Sequence, residues 1–496
     1  MSDEPIESSG ADSPAAPSRG APTRPGSPRR ASPRRASPRH ALGWQDPEFY
    51  EPAALEKELE RVFDICHGCR RCFNLCNAFP TLFDLIDATA TGELDGVDKK
   101  AFSQVVDHCY LCDMCYMTKC PYVPPHPWNV DFPHLMLRAK AVEHRSGATG
   151  WRDQVLSSTD WVGAIAGIPV VVEAVNAANR SAWGRKILDA ALGVHPEAPV
   201  PQYVSNTLRK QLRKELVQAQ VTSQIQAPMP SQPTRRPNDD PVRPNDGPVG
   251  SGGGTSGKVA LFATCYANRN EPQLGLDLAR VFEHNGIEIA LAERENCCGM
   301  PKLELGDLEA VARLKEKNVP PLLAMIERGY DIVAPIPSCV LMFKQELPLM
   351  FPDDADVAMI RDHMFDPFEY LALRHKAGLL RTDFARPLGK VSYHVACHLR
   401  VQNIGLKTRD MLQLIPGTTV EPIERCSGHN GTYGVKRKFR DTSMKIGKPV
   451  MQRVQASGAD FYASDCPMAG HQIESGLENH PPPTHPLTLL RMAYGL

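Results

Sequence analysis

The sequence has no run of eighteen consecutive apolar residues, and so predicts no transmembrane helix. No Gly-x-Gly-x-x-Gly turn joins a predicted strand to a helix, and no Gly-x-x-x-x-Gly-Lys-Ser/Thr loop occurs. A resident nicotinamide, flavin or ATP is therefore not expected. There is little net charge, −1 over 496 residues, which removes any whole-chain signal for nucleic acid or for an anionic surface. Residues 1–45 lack the apolar core of a secretory leader. The pairs Arg29-Arg30 and Arg34-Arg35 are not followed by the hydrophobic stretch an export signal needs. A reducing, cytoplasmic location is the expectation.

What the sequence does have is cysteine, fifteen in all, and in blocks. Eight fall between Cys66 and Cys120, and seven lie between Cys265 and Cys466. In a reducing compartment, clustered thiols bind metal more often than they pair as disulfides.

Composition divides the chain. Residues 1–45 are low-complexity, with the repeated Ser-Pro-Arg-Arg-Ala, and read as a disordered tail. Folded sequence begins near Asp46-Pro47, and residues 46–145 form the first unit. In it Leu55, Leu59, Val62 and Phe63 recur at helical spacing and lead into Cys66. Residues 146–221 read as a cysteine-free helical connector. Within it Trp161 to Val175 is apolar with little helical contrast; a buried connecting helix is the simpler reading, a partner-docking or interfacial segment the other. Residues 222–257, rich in proline and then glycine, read as a linker.

Beyond the linker, short apolar strands such as Val259–Ala263 and Asp331–Ala334 alternate with helical patterns such as Glu271–Glu283, which predicts α/β layering. This half repeats itself. Cys265 and Cys397 are 132 residues apart; Cys297 and Cys426, and Gly299 and Gly428, are 129 apart. The repeat predicts two pseudo-symmetric lobes, residues 258–386 and a degenerate copy at 387–496. The expected fold class is thus α+β and α/β multidomain: a helical ferredoxin-like domain for two [4Fe–4S] clusters, then two α/β cysteine-rich lobes.

The first cysteines read Cys66-x2-Cys69-x2-Cys72-x3-Cys76, and the second set Cys109-x2-Cys112-x2-Cys115-x4-Cys120-Pro121. Three thiolates at this spacing lie on a tight loop that can hold three corners of a cubane but cannot supply the fourth. In two-cluster ferredoxins the trailing cysteine of each run serves the other cluster. Cys66, Cys69, Cys72 and Cys120 are therefore assigned to one [4Fe–4S], and Cys109, Cys112, Cys115 and Cys76 to the other. Asn77 after Cys76 and the four-residue gap before Cys120 depart from the usual pattern without removing a ligand. The competing reading is a zinc-stabilised scaffold, but zinc ribbons use separated pairs rather than triplets with a trailing fourth.

The first lobe supplies Cys265, Cys297-Cys298 before Gly299, and Cys339; the second supplies Cys397, Cys426 and Cys466, with Ser427 and Ala469 at repeat-related cysteine positions. With Thr264-Cys265-Tyr266, Pro272-Gln273-Leu274-Gly275, Asn296-Cys297-Cys298-Gly299, Tyr393-His394, Cys397-His398, Gly431-Thr432-Tyr433-Gly434 and Ser464-Asp465-Cys466-Pro467, the chain resembles the heterodisulfide-reductase-B-like iron–sulfur oxidoreductases, in the branch of the anaerobic glycerol-3-phosphate dehydrogenase C subunits. The resemblance implies an electron-transfer role linking a flavoprotein dehydrogenase to a quinone-type acceptor, reaching the inner face of the membrane through partners. It implies a third iron–sulfur cluster on Cys265, Cys297, Cys298 and Cys339. A cluster on Cys397, Cys426 and Cys466 would need a substitute ligand such as His429, Asp465 or His398, for which ordinary hydrogen bonding is the simpler role. The degenerate second lobe leaves another use open: redox partner of a rubrerythrin-like diiron protein.

Overall fold

The computed structural model describes residues 39–226 and 254–496. Most of the expected tail and the greater part of the expected linker lie outside those residues.

The first half is helical: α1 Pro52–Cys69, α2 Ala78–Asp87, α3 Phe102–His108, α4 Met114–Thr118, α5 Phe132–Arg145, α6 Trp151–Leu156, α7 Thr159–Ala166, α8 Val171–Arg180, α9 Ala182–Leu192 and α10 Leu208–Gln226. Helix α1 starts on Pro52, whose fixed φ suits the first turn, and buries Leu55, Leu59, Val62 and Phe63 as one stripe. It ends where Arg70 turns left-handed at φ 49°. Helix α10 carries the chain to Gln226, past the expected linker boundary at residue 222.

The expected tail contains a correction. Arg39 is only 5% exposed and Trp44 is buried, so residues 39–45 belong to the fold. Arg39 grips Asp131 through Nε at 2.7 Å and Nη2 at 2.9 Å, reaches Asp113 through Nη1 at 2.5 Å, and lies over the Tyr116 ring. Burial works against the Asp131 carboxylate, yet His134 and Arg39 outweigh it and hold its pKa down to about 2. A Ser-Pro-Arg context reads as solvated; only the carboxylates facing Arg39 in space make it a core residue.

The second half carries two parallel sheets. In the first, β1 Lys258–Leu261 lies between β2 Glu288–Leu291 and β3 Asp331–Val333, with β4 Met364–Phe365 beyond β3. In the second, β5 Gly389–His394 lies between β6 Thr418–Ile423 and β7 Phe461–Ser464. The orders β2-β1-β3 and β6-β5-β7 are the same arrangement, so the internal repeat is a duplicated topology. Parallel strands buried on both faces explain the runs of Val, Ala and Ile.

One apolar core runs from Trp44 to Tyr494 and joins the helical half to both lobes. The last helix, Pro486–Tyr494, returns from the second lobe to the first. There the fully buried Asp277 accepts from Thr488 at 2.6 Å and pairs with Arg491 at 2.8 Å. Gly306, at φ 85°, lets the first lobe close on α5: a Cβ there would stand 2.5 Å from the Lys140 carbonyl carbon. The connector is pinned to the second lobe by Arg437 N–H to Gly193 O at 2.7 Å and His195 N–H to Val435 O at 2.8 Å.

At the end of β5, His394 is buried with Nε2 3.0 Å from the Arg425 carbonyl and Nδ1 2.9 Å from Ser464 Oγ. Facing a carbonyl, Nε2 carries the proton and Nδ1 accepts. Burial, helped by the Arg400 charge and opposed by the Arg425 carbonyl, lowers the pKa to about 4. Below pH 6.5 the unfolded chain takes up a proton that the folded one refuses, so the stability this group contributes is lost as pH falls from about 6.5 toward 4. Denaturant unfolding between pH 7 and 4.5 is expected to show that slope, with His394→Gln removing its share.

Candidate metal centres

Cys66 and Cys69 occupy the last turn of α1 rather than a loop, three residues apart and so on one face. Cys72 comes in the turn after Arg70, and Cys120 lies just beyond α4. These four thiols line a single pocket with Ile65, Phe79, Phe83 and Val130. Burial pushes the Cys66 thiol well up, and Cys72, Cys120 and Cys69 add to the effect as neighbouring negative charges. Cys72 rises to about 12 for the same reasons, with Lys119 and Arg71 opposing.

The second set is deeper. Cys109 caps α3, Cys115 lies in α4, and Leu111 and Asp113, both left-handed at φ 52° and 58°, swing Cys112 inward between them. Cys115 is held up by burial and then by Cys109, Cys112 and Cys76, so the trailing cysteine of the first run lies within electrostatic reach of the second triplet. Cys115 also senses Cys72, which sets the two groups side by side. Cys120 N–H donates to Cys115 O at 2.9 Å, and the Lys140 ammonium donates to the Cys109 carbonyl.

In the first lobe Cys265, Cys297, Cys298 and Cys339 meet at the carboxyl ends of β1 and β3, where parallel sheets place their sites. The Cys297 thiol is lowered well below its usual range by hydrogen bonds from Cys265 and Cys298, then by Thr159 and the Gly299 N–H. Its own N–H donates to Asp160 Oδ2 at 2.7 Å, and its carbonyl accepts from Asn318 at 3.0 Å. Gly299 takes φ 103°, the left-handed corner that the adjacent thiols require. Thr159 and Asp160 come from α7, a contribution that no cysteine spacing announces.

The second lobe brings Cys397 and Cys426 together, with Cys466 also close to Cys397. The Asn430 amide bridges the first two, accepting from Cys397 Sγ at 3.7 Å and donating to Cys426 Sγ at 3.6 Å. Of the three substitute ligands, Asp465 is engaged by Tyr393 and by Thr408 at 2.8 Å. His398 Nδ1 meets Ser338 Oγ at 2.9 Å, while both ring nitrogens of the buried His429 lack a hydrogen-bond partner among the described residues.

One arrangement was not legible in the spacing. Cys112 senses Cys397 and Cys426, and Cys76 senses Cys426. Tyr110, Tyr433 and Phe439 pack together against Cys76, Cys112 and Cys426, and Tyr110 Oη is 3.6 Å from Cys426 Sγ. His108 Nδ1 lies 2.9 Å from Tyr433 Oη. The deep thiol group of the helical half therefore abuts the second lobe. All fifteen cysteines are free thiols, and among the described residues no three His, Cys, Asp or Glu side chains converge as they would around one metal ion.

The Trp161–Val175 segment corrects its simpler reading. It is not a buried helix: α7 and α8 meet at 107°, Trp161 is 62% exposed, and Ile165 and Ile168 are exposed too. Val170, a β-branched residue at φ 75°, forms the tip at 82% exposure. No single helix among the described residues is long and apolar enough to cross a membrane.

The CCG model, a cysteine-rich domain, matches residues 259–344 and again 391–474. The C subunit of anaerobic glycerol-3-phosphate dehydrogenase from Escherichia coli K12 is 29% identical over 371 residues, 74% of this chain and 83% of that protein. Lactate utilization protein A of Bacillus cereus B4264 is 30% identical over 217 residues, 42% of this chain and 87% of its own. The B subunit of the CoM/CoB fumarate reductase of Methanothermobacter marburgensis is 26% identical over 227 residues, 45% and 42% of the two chains. Two of these relatives are by name subunits of oxidoreductases. The chain belongs to the family of cysteine-rich-domain proteins that includes lactate utilization protein A and the anaerobic glycerol-3-phosphate dehydrogenase C subunits.

Proposed function

We propose that this chain is the iron–sulfur relay of a multisubunit oxidoreductase, passing electrons between a flavoprotein dehydrogenase and a quinone-type acceptor. The observation that supports the reading is a crossed grouping of thiols: Cys120 lines one pocket with Cys66, Cys69 and Cys72, and Cys115 feels Cys76 as well as Cys109 and Cys112.

The thiols fit such clusters on chemical grounds. Burial pushes the Cys76, Cys109, Cys112 and Cys115 thiols up, and only a strongly positive core would stabilise thiolates there. They are not paired as disulfides, and apolar side chains wall the cavity. When bound, iron–sulfur clusters supply one-electron carriers whose potential depends on net charge, hydrogen bonding and exposure. Two [4Fe–4S] groups would sit on the crossed sets, and a third cluster on Cys265, Cys297, Cys298 and Cys339.

The chain's own residues shape the surroundings of each thiol group. Lys140 brings positive charge to Cys109, Asp160 and Asn318 fix the backbone of Cys297, and Tyr110 with Tyr433 fills the space between Cys112 and Cys426 with aromatic rings instead of water. A dehydrogenase partner is supported by the relative named as part of a dehydrogenase. Peripheral association with the membrane side of such a complex is supported by the exposed apolar bend of α7 and α8.

The test is anaerobic metal analysis of Cys298→Ser beside the parent chain. Loss of about four irons, with the other reducible signals kept, is the expected result. Unchanged iron in that variant would remove the third cluster from the proposal.

A further inference from the structure

The Cys66–Cys120 cavity opens on a surface unlike the surroundings of the other thiol groups. Its wall includes Arg71, Lys119, Pro121 and Tyr122. Arg71 and Lys119 are exposed, act on Cys72 as positive charges, and among the described residues neither is ion-paired. Of the acids in the flanking segments, Asp87 pairs with Arg70 at 2.5 Å and Glu93 lies 3.7 Å from His67, while Asp64 and Asp84 are exposed. Beside the cations stand three large apolar side chains in water, Phe73 at 58%, Trp128 at 48% and Met117. Tyr122, His126 and Trp128 form one aromatic group with centroids 4.6 to 5.4 Å apart, and Tyr122 lines the same pocket as Cys69. An exposed ring system thus runs from the surface to a candidate ligand.

Exposed aromatics beside cations that hold no ion pair fit a docking surface better than a solvated face. We infer that the rim formed by Arg71, Lys119, Phe73, Tyr122 and Trp128 docks an acidic electron-carrier protein, one that presents carboxylates around the apolar edge of its own redox group. This rests on the iron–sulfur reading above. Opposite charge would steer the encounter, and the aromatic rim would exclude water where the two redox groups meet. One electron passes per encounter; the carrier is oxidised by one electron and the site behind Cys69 is reduced by one, with no bond made or broken.

The probe is an acidic flavodoxin reduced to its hydroquinone, mixed anaerobically with the oxidised chain in a stopped-flow instrument at about 20 to 500 mM salt. The second-order rate is expected to fall at least about tenfold across that range, and by a similar factor at low salt in Arg71→Glu/Lys119→Glu, whose rate then rises with salt. Trp128→Ala removes no thiol, no cation and no pocket-lining residue, and so guards against a reversal that hinders assembly; it should slow transfer while keeping the salt dependence. Rates indifferent to salt, to charge reversal and to Trp128 would overturn the docking face. Dithionite separates this from failure of the relay itself: a parent chain that dithionite cannot reduce refutes the iron–sulfur reading, whereas a reducible chain with charge-blind transfer refutes only the surface.

Discussion

Arg39→Ala is expected to be among the most destabilising single changes outside the cysteines, costing about 3–5 kcal/mol. The guanidinium is buried and holds Asp113 and Asp131 directly, with Glu346 at 4.0 Å. Removing it leaves carboxylates from three separate parts of the chain facing one another with only the His134 ring between Asp131 and Glu346, and the penalty of a poorly compensated buried charge exceeds the worth of the pair itself. The loss would reach the thiols. Asp113 sits between Cys112 and Met114 in a left-handed conformation, so freeing its carboxylate loosens the turn that points Cys112 inward. Gln345 donates to the same carboxylate at 2.7 Å, which ties that turn to the first lobe. Equilibrium unfolding in denaturant measures the loss. Arg39→Met with Asp113→Asn and Asp131→Asn should recover much of it, because fewer lone charges stay buried. A change within about 0.5 kcal/mol for Arg39→Ala would mean that residues 39–45 do not pack as described.

The second large effect separates crossed from uncrossed ligation. Cys120→Ser should abolish the same electron paramagnetic resonance component as Cys66→Ser, although 54 residues separate the two. Cys76→Ser should abolish the component lost in Cys109→Ser. Each variant should lose about four irons per chain, since a serine hydroxyl is a poor replacement for a thiolate. The reason is the cavity: Cys120 lines it with Cys66, Cys69 and Cys72, while Cys76 is drawn by the turn after α1 toward Cys109. If Cys120→Ser instead removed the signal lost in Cys109→Ser, each run would serve its own cluster and the two loops would not be interlocked.

Much of this arrangement is written in local patterns. The stripe Leu55, Leu59, Val62 and Phe63 has the helical period and forms α1; the apolar runs at Val259 and Asp331 become β1 and β3; the offset near 130 residues becomes a shared strand order. Spacing also suggested which thiols to look for together, since ligand geometry constrains sequence distance. What the sequence could not show is long-range. Arg39 looks like the arginines of the repeat before it until Asp131 is placed opposite. Thr159 and Asp160 look like the start of an ordinary helix until Cys297 folds against them. The Tyr110–Tyr433 contact joins residues 323 positions apart. The bend at Val170 failed the simpler reading because an apolar stretch reports hydrophobicity, not whether a neighbour covers it.

Thiols from two separate stretches of the chain are proposed to enclose redox-active iron. The most direct measurement is metal-to-protein stoichiometry on anaerobically prepared protein, with a reductive titration monitored by electron paramagnetic resonance. About eight to twelve irons per chain are expected, with signals that appear as electrons are added. Stoichiometric zinc, or a fully loaded protein that accepts no electron, would contradict it.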